Sequence, residues 1–246
     1  MGKQSARTTW GTVPAGHRAQ RSPPGDERST LVTTADSDGP LPAGGHSGYP
    51  VVLDLTGRRC LVVGGGPIAT RRAEGIIAAG GLVTVVAPHT TSALDGNPDA
   101  TVEHRTYQAG EAGRYDLVVT ATGDPALDRT VVADATSAGA LAAGADTTAP
   151  GTIQLPAVHR DGPVTVAVST GGSSPALARW LLGRAAGALP SRVAVLATLL
   201  EEARQALRAE GRPTDSVDWT AVLDEQVVPL VEAGRIDEAR AVLGRL

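Results

Sequence analysis

The sequence predicts an α/β fold: a parallel sheet with helices, then a smaller section of hairpin and helix, then a helical C-terminal part. Three observations carry this prediction. Residues 59–88 follow the order strand, glycine turn, helix and strand, which is the order of a βαβ unit. Residues 115–122 form another apolar stretch of strand length. From residue 192 onward, apolar residues recur near helical spacing.

The composition excludes several classes of protein. The chain has 246 residues, a net charge of −4 and a single cysteine, Cys60. The negative charge gives no support for nucleic-acid binding. One cysteine rules out an intrachain disulfide and argues against a thiolate metal site, so no metal site is predicted. No apolar run is long enough to span a membrane, and residues 1–48 lack the hydrophobic core of a signal peptide. We therefore expect a cytoplasmic protein.

Residues 1–48 are predicted to form a disordered tail. They contain Ser, Thr, Gly, Pro, Arg and Asp without periodicity, and Trp10 and Val32 are too isolated to form a core. An arm that folds on a partner is the alternative. Residues 49–57 then lead into the first strand, with turn-forming residues at 54–57.

The βαβ unit begins with the apolar run Cys60–Val63, in which Cys60 is predicted to be a small apolar strand residue. Three glycines follow, then a predicted helix over residues 68–79. Gly80-Gly81 can end that helix in a left-handed turn. A second strand is predicted over residues 82–87 and ends at Pro88.

The glycines have the spacing Gly64-x-Gly66-x-x-Ala69, which is the dinucleotide fingerprint with alanine in third place. Gly64 permits the tight turn, Gly66 lets backbone approach a pyrophosphate, and Ala69 lets the helix lie close to the sheet. The helix N-terminus offers free N–H groups to the phosphates. A glycine-rich turn without nucleotide is the alternative. Residues 86–89 contain neither the acid that selects NAD nor an arginine that selects NADP, so this motif leaves that choice open.

Further strands are predicted after the βαβ unit. Residues 100–105 form a short candidate strand, and the strand over residues 115–122 ends in a turn at 123–125. Ligands of doubly wound sheets lie beyond the carboxyl ends of the strands. Thr120 and Thr122 are therefore predicted to border the nicotinamide.

A candidate acid or base follows at Asp146. A helix over residues 127–138 and a strand over residues 140–145 lead to it. A carboxylate just past a strand end faces the cofactor crevice, which suits proton transfer. A turn-capping Asp before residues 147–148 is the alternative.

The section from residue 155 to residue 176 is predicted to contain a hairpin with its turn at Asp161-Gly162. Its second strand, residues 164–168, has no partner in a doubly wound sheet, and exposed strand edges invite pairing. We therefore expect a homodimer through residues 155–182, in which elements can be exchanged.

Hydroxyl and glycine residues then precede a helix that is predicted to start near Ala176. This combination at a helix N-terminus makes an anion site. Plain N-capping by Ser173 or Ser174, with Pro175 first in the helix, is the alternative, and both can hold together. The helical part after residue 192 is broken at residues 211–214 and is predicted to be an interaction or lid element.

Together these residues resemble the N-terminal region of siroheme synthase and its free-standing relatives, the precorrin-2 dehydrogenase/sirohydrochlorin ferrochelatase family. The resemblance runs from about Tyr49 to the C-terminus. It is most specific in residues 49–88, which include LVVGGG and VTVVAP, and in residues 166–179, VAVSTGGSSPALAR. In residues 117–124 the family usually has AATDD, from which Gly123 departs.

The resemblance implies a Rossmann-type domain at residues 49–155, a small α+β dimerisation element at 156–190 and a helical domain at 191–246. It implies that NAD⁺ accepts hydride from precorrin-2 to give sirohydrochlorin, and that many members then insert Fe²⁺ to give siroheme. No methyltransferase domain follows in the sequence, so we expect the upstream methylations to come from another protein.

The resemblance also implies roles for individual residues. Asp146 matches the proposed catalytic aspartate, in the run Ala143–Asp146 where the family has Asn-Val-Val-Asp. Thr170 matches a serine that is phosphorylated in a fused relative. Residues 151–157 lack the aromatic residue and the acid of the family's matching stretch, which bears on substrate contacts and metal insertion. The predicted cofactor-binding residues are Gly64, Gly65, Gly66, Pro67, Ile68, Pro88, His89, Thr120 and Thr122. The predicted binding residues for the polycarboxylate substrate are Ser169, Thr170, Gly171, Gly172, Ser173, Arg160 and Arg179.

The leading functional hypothesis is an oxidoreductase in which NAD⁺ collects hydride while Asp146 takes a proton. The alternative is a non-catalytic NAD(P)-sensing module that acts through its helical tail, although such a module needs no second anion site. An ordinary short-chain dehydrogenase would need a Tyr-x-x-x-Lys pair, and the only lysine is Lys3.

Overall fold

A computed structural model describes residues 48–144 and 151–246. The predicted tail over residues 1–48, apart from its last residue, lies outside this part of the chain. The strands are β1 Arg59–Val63, β2 Leu82–Val86, β3 Ala100–Glu103, β4 Leu117–Thr120, β5 Leu141–Ala143, β6 Ala157–Asp161 and β7 Val164–Val168. The helices are α1 Pro67–Ile77, α2 Ser92–Asp95, α3 Pro125–Ser137, α4 Pro175–Gly187, α5 Val193–Ala209, α6 Trp219–Val222, α7 Val228–Glu232 and α8 Ile236–Leu243.

Strands β1 to β5 form one parallel sheet in the order β3-β2-β1-β4-β5. The central strand β1 pairs on both sides, so that Cys60 lies between Val83 of β2 and Leu117 of β4. Helix α1 connects β1 to β2, and α3 connects β4 to β5. This confirms the predicted Rossmann-type sheet. All its carboxyl ends lie along one edge, where a ligand of such a sheet binds.

The central strands β1 and β4 are buried on both faces of the sheet. Val62 and Val119 pack with α1 on one face, whereas Leu61 and Val118 pack with Val131 of α3 on the other. Because neighbouring residues of a central parallel strand point to opposite buried faces, such a strand is apolar throughout. This explains the continuous apolar runs of β1 and β4. Cys60 is buried in β1, as predicted.

Several element boundaries differ from the predictions. Helix α3 begins at Pro125, two residues earlier than predicted, because Asp124 caps its N-terminus. Strand β3 ends at Glu103, so His104 lies beyond it. Strand β5 spans only Leu141–Ala143 within the described residues. The left-handed turn after α1 occurs at Gly80, whose φ is 81°.

The hairpin of β6 and β7 forms a separate antiparallel sheet, with its turn at Gly162. Strand β7 pairs with β6, as the predicted hairpin turn requires, and has no partner in the parallel sheet, as expected. Helix α4 packs on this hairpin. Within α4 only Ala178 is buried. We call residues 157–187 the hairpin–helix element.

The C-terminal helices form their own core, in which Leu199, Val227 and Val231 are fully buried. A π-helical turn, Leu223–Val227, joins α6 to α7. The break predicted at residues 211–214 falls between α5 and this group. Across the described residues, no helix combines the length and apolar character needed to cross a membrane.

Candidate functional site

A cavity of about 540 Å³ opens at the carboxyl edge of the parallel sheet. Its floor includes Val63 at the end of β1 and Val86 at the end of β2. The predicted cofactor-binding residues that line it are Gly64, Gly65, Gly66, Pro67, Ile68, Pro88, His89 and Thr122. The structure therefore brings eight of the nine predicted residues around one space.

The three glycines have different physical roles. Gly64 has a φ of 125°, and a Cβ there would lie 2.2 Å from the carbonyl oxygen of Ala121. A Cβ on Gly65 would lie 2.0 Å from the carbonyl oxygen of His89. These two positions need glycine because β4 and the loop after β2 approach the turn closely. A Cβ on Gly66 would meet no atom of the described residues within 4 Å.

The site fits a pyrophosphate at Gly66 and the start of α1. In residues 48–144 and 151–246, no atom fills the space next to Gly66 and no side chain caps α1. The N-termini of α3 and α4, by contrast, are capped by Asp124 and Ser174. An uncapped helix N-terminus that faces a cavity presents free N–H groups and a positive dipole end to an anion. Ala69 is fully buried, which keeps α1 close to the sheet.

The loop after β2 is tied to the glycine turn. The backbone N–H of Thr91 donates to the Gly65 carbonyl at 3.0 Å. The hydroxyls of Thr70 and Thr91 are 2.8 Å apart, and Thr70 Oγ1 also donates to the Gly66 carbonyl at 3.1 Å. These contacts hold Pro88 and His89 against the cavity.

On the β4 side, a network of polar groups borders the cavity. The hydroxyl of Thr122 donates to Asp128 Oδ1 at 2.8 Å, and the Thr122 N–H approaches the same oxygen at 3.3 Å. Asp128 is only 4% exposed. Asp124 Oδ1 accepts from the N–H groups of Ala126 and Leu127, at 2.8 and 3.3 Å. Thr122, Asp124 and Asp128 all line the cavity.

Sequence reasoning missed Asp128. The dipeptide Asp124-Pro125 was the available signal, because a capping residue followed by proline marks a helix start. With the helix begun there, Asp128 falls in its first turns, close to the residues that end β4. Tyr107 and Thr106 also line the cavity and were not predicted.

Thr120 is the predicted cofactor residue that does not line the cavity. It is the last residue of β4 and is 1% exposed. Its Oγ1 is buried and has no hydrogen-bond partner within the described part of the chain. A direct contact between Thr120 and a cofactor stays a prediction.

Tyr107 lines the cavity and is anchored to α3. Its hydroxyl donates to Asp134 Oδ2 at 2.8 Å and accepts from the Ala112 N–H at 3.2 Å. Burial, together with the hydrogen bond to Asp134, raises the pKa of the Tyr107 phenol. The phenol therefore remains protonated at neutral pH, and its role in the wall is structural.

An ion pair supports the segment that carries Tyr107. Arg105 donates to both oxygens of the buried Glu111, at 2.9 and 2.6 Å. Burial acts to raise the pKa of Glu111, but the hydrogen bonds from Arg105 and from the Gln108 N–H outweigh it and hold the pKa below its usual value. Glu111 is thus a buried carboxylate with a matching cation.

The predicted catalytic residue, Asp146, lies outside the described residues. Strand β5 ends at Ala143, and the described chain resumes at Gly151. There, Thr152 Oγ1 accepts from the Ala142 N–H at 2.9 Å, and the Ile153 N–H donates to the Ala142 carbonyl at 3.1 Å. Residues 152 and 153 therefore lie next to Ala142 of β5.

The predicted substrate-binding residues lie in the hairpin–helix element, and none of them lines the cavity. Gly171 and Gly172 have φ values of 62° and 83°. The Thr170 hydroxyl donates to the Ser174 carbonyl at 3.1 Å and accepts from the Ser174 N–H at 3.2 Å. Ser174 also caps α4, as the capping alternative predicted, by accepting from Leu177. The loop's hydroxyls are therefore partly used within the loop.

Arg160 and Arg179 are both exposed. Within residues 48–144 and 151–246, neither forms a salt bridge. Their guanidinium groups are therefore available to an anion.

The described ranges contain no cluster of three or more His, Cys, Asp or Glu side chains that could hold a metal ion. Burial, and then the charge of Asp116, raise the pKa of the Cys60 thiol to about 11. Cys60 is accordingly a protonated core residue rather than a nucleophile.

Two family models match the chain. The first describes an NAD(P)-binding domain and covers residues 51–157. The second describes the central domain of a sirohaem biosynthesis protein and covers residues 161–181. The first match contains the cavity, so the predicted nicotinamide dinucleotide cofactor is confirmed. The second match falls on the hairpin–helix element.

Curated relatives match most of the chain. Siroheme synthase 1 of Halorhodospira halophila is 36% identical over 206 residues, which cover 80% of this chain and 42% of that protein. The siroheme synthase of Nitrosococcus oceani is 33% identical over 199 residues, covering 79% of this chain and 42% of that protein. The chain thus spans about two fifths of the length of these relatives.

A solved structure agrees with these matches. The structure of SirC, precorrin-2 dehydrogenase, superimposes with a TM-score of 0.61 at 27% identity. The match covers 78% of this chain and 98% of that one. The chain therefore belongs to the family formed by the N-terminal region of siroheme synthase and precorrin-2 dehydrogenase.

Proposed function

We propose that this protein uses NAD⁺ to oxidise precorrin-2 to sirohydrochlorin in siroheme biosynthesis. The observation that carries the proposal is the combination, in one chain, of a dinucleotide cavity and the hairpin–helix element. A dinucleotide domain alone would support many reactions. The likeness to SirC, however, extends over 98% of that precorrin-2 dehydrogenase.

The residues of the cavity bind and orient the dinucleotide. When bound, NAD⁺ supplies the hydride acceptor. The glycine turn and the start of α1 would hold its phosphates, and Thr122 after the end of β4 would border the nicotinamide half. Asp146 follows the neighbouring strand β5 in the sequence, and its proposed role is to take the proton that leaves precorrin-2.

The substrate is a polycarboxylate, whereas the chain has a net charge of −4. Local groups must therefore offset repulsion between them. The exposed guanidinium groups of Arg160 and Arg179 are the proposed binding groups, together with N–H groups of the loop over residues 169–173. The N–H groups of Gly171 and Ser173 are not among them, because they donate to Ser169 Oγ and to the Thr170 carbonyl. Charge-assisted hydrogen bonds to carboxylates are among the strongest that proteins make.

A homodimer is part of this proposal. In the single chain, α4 leaves Leu177, Trp180 and Leu181 exposed by 46, 59 and 37%. Val158 of the hairpin is 36% exposed. A second copy placed on this face would bury its apolar side chains.

Insertion of Fe²⁺ into sirohydrochlorin is the second proposed step. Its support is that the curated relatives are siroheme synthases. Fe²⁺ is here a substrate, and the nitrogens of the macrocycle are its proposed main ligands. The test compares Fe²⁺ and Co²⁺ insertion into sirohydrochlorin with and without the protein. If the protein produces sirohydrochlorin without accelerating insertion, it is a dehydrogenase only.

The deciding experiment for the first step incubates the purified protein with NAD⁺ and enzymatically made precorrin-2. The absorbance of NADH and of sirohydrochlorin should rise together, and neither should rise when NAD⁺ is omitted. A non-catalytic NAD(P)-sensing module would bind NAD⁺ in calorimetry without any turnover. That result would replace the enzymatic proposal with the sensing alternative.

A further inference from the structure

Two acidic side chains are buried in the described part of the chain, Glu111 and Asp128. Glu111 is paired with Arg105. Asp128 is 4% exposed, and no cation of the described residues forms a salt bridge with it. A buried carboxylate without a cation is costly unless something else compensates its charge.

The position of Asp128 in the cavity indicates which group could compensate its negative charge. Asp128 lies in the wall of the cavity, on the side where β4 ends. The phosphates of a dinucleotide belong at the glycine turn, and the adenosine half belongs beyond β2. The nicotinamide half therefore extends toward β4, where Asp128 lies.

The carboxylate of Asp128 is held in place from within the protein. Its Oδ1 accepts from the hydroxyl and the N–H of Thr122. No described residue donates to its other oxygen, Oδ2. The first turns of α3, where Asp128 is placed, stabilise a negative charge through the positive end of the helix dipole.

The described residues that line the cavity include carboxylates. These carboxylates are those of Asp124 and Asp128, and neither Arg nor Lys lines the cavity within the described part of the chain. Asp124 is exposed to water, which screens it, whereas Asp128 is desolvated and its field is stronger. The ring of oxidised nicotinamide carries a positive charge, and the ring of reduced nicotinamide is neutral. A buried negative charge distinguishes these two rings.

We propose that Asp128 is a specificity-determining residue of the cofactor site, whose buried carboxylate favours the cationic, oxidised nicotinamide over the neutral, reduced one. The inference rests on the proposed function, because it assumes that a nicotinamide dinucleotide binds in this cavity. Its consequence is that reduced cofactor leaves more readily than oxidised cofactor. Thr122 is the positioning residue that orients the carboxylate.

The test measures the dissociation constants of NAD⁺ and NADH by calorimetry, without any turnover. The wild-type protein should bind NAD⁺ about 10-fold more tightly than NADH, or more, as expected for one charge pair at intermediate dielectric. Asp128→Asn keeps the side-chain shape and an oxygen that can accept from Thr122. It should weaken NAD⁺ binding about 10-fold and leave NADH binding nearly unchanged.

Asp116→Asn is the matched control. Asp116 precedes β4 at the opposite edge of the sheet, where its Oδ2 accepts from the Arg59 N–H at 2.9 Å. This variant removes the same charge far from the cavity and should preserve the preference for NAD⁺. Thermal unfolding of both variants checks that each one folds.

Two results would overturn the inference alone. The first is a wild-type protein that turns over precorrin-2 but binds both dinucleotides equally. The second is an Asp128→Asn variant that weakens NAD⁺ and NADH binding by the same factor, which would give Asp128 a structural role. A wild-type protein that binds neither dinucleotide would overturn the proposed function as well.

Discussion

The parallel sheet and the hairpin–helix element differ in how far their apolar side chains are buried. In the sheet, Val62, Val118 and Val119 are almost completely buried by helices of the same chain. In the hairpin–helix element, Trp180 of α4 is 59% exposed. The central strands of the sheet are therefore covered within the chain, whereas the hairpin–helix element leaves large apolar side chains exposed.

The proposed functions of the two regions differ in the same way as their packing. The self-contained sheet carries a pre-formed cavity with fixed glycines and a buried carboxylate, which suits a cofactor whose reactive ring must be held rigidly. The hairpin–helix element carries exposed arginines and exposed apolar side chains, which suit assembly and capture of a charged substrate. Five predictions test whether chemistry and cofactor binding depend on one region, and assembly and substrate capture on the other.

The largest effect is expected for Asp146→Asn. This change keeps the side-chain shape and removes the base, so turnover of precorrin-2 should fall by about 10²–10⁴-fold. NAD⁺ affinity, measured by calorimetry, should not change. Full turnover in this variant would show that the base lies elsewhere.

Trp180→Ser should separate assembly from cofactor binding. A buried aromatic anchor contributes about 2 kcal/mol or more to an interface, so the dimer should dissociate at roughly 30-fold higher protein concentration. Light scattering over a dilution series measures this change. Leu82→Ser is the control, because Leu82 is 60% exposed but lies in β2, outside the proposed interface. A wild-type protein that is monomeric at micromolar concentration would contradict the assembly proposal.

Two glycine variants should separate cofactor binding from folding within the sheet region. Gly66→Asp places a carboxylate in open space next to the phosphates. NAD⁺ binding should weaken by at least about 10-fold through like-charge repulsion, while the melting temperature is retained. Gly65→Ala instead drives a Cβ into the His89 carbonyl and should lower the melting temperature. Unchanged NAD⁺ affinity in Gly66→Asp would remove the glycine turn from the site.

Arg179→Ala tests the substrate role of the hairpin–helix element. Losing one charge-assisted bond, about 1.5 kcal/mol, should raise the KM for precorrin-2 roughly 10-fold and leave the KM for NAD⁺ unchanged. Arg204→Ala, an exposed arginine of α5, serves as the control. If the KM for NAD⁺ rose instead, Arg179 would have a structural role.

The smallest effect is expected for Glu111→Gln, which weakens the ion pair behind the cavity wall. At neutral pH the free energy of unfolding should fall by about 1 kcal/mol. The folded-state pKa of Glu111 lies below its usual value, so the stabilisation is present above that usual value. It is lost as the pH falls through the folded-state pKa. The difference between wild type and variant should therefore shrink in acid, as denaturant titrations at several pH values would show.

Local sequence patterns predicted much of this fold because strands, turns and helix starts depend on residues that are close together in the chain. The continuous apolar run of β4 predicts a strand that is buried on both faces. Asp161-Gly162 predicts the hairpin turn, and Ser174-Pro175 predicts the start of α4. The spacing of Gly64, Gly66 and Ala69 was sufficient to locate the glycine turn that lines the cavity and is proposed to bind phosphate.

The sequence by itself therefore determined the order of the elements and the place of the glycine turn, since both depend on residues that are near in the chain. Only the tertiary structure decided which polar side chains are buried. In the sequence, Asp128 cannot be distinguished from other helical aspartates, because it is buried only where α3 packs beside the end of β4. Position 65 requires glycine because of the close approach of His89, which is 24 residues further along the chain. The exposure of Trp180 likewise depends on which surfaces α4 covers. Burial is set by contacts between distant segments, and neither composition nor periodicity contains that information.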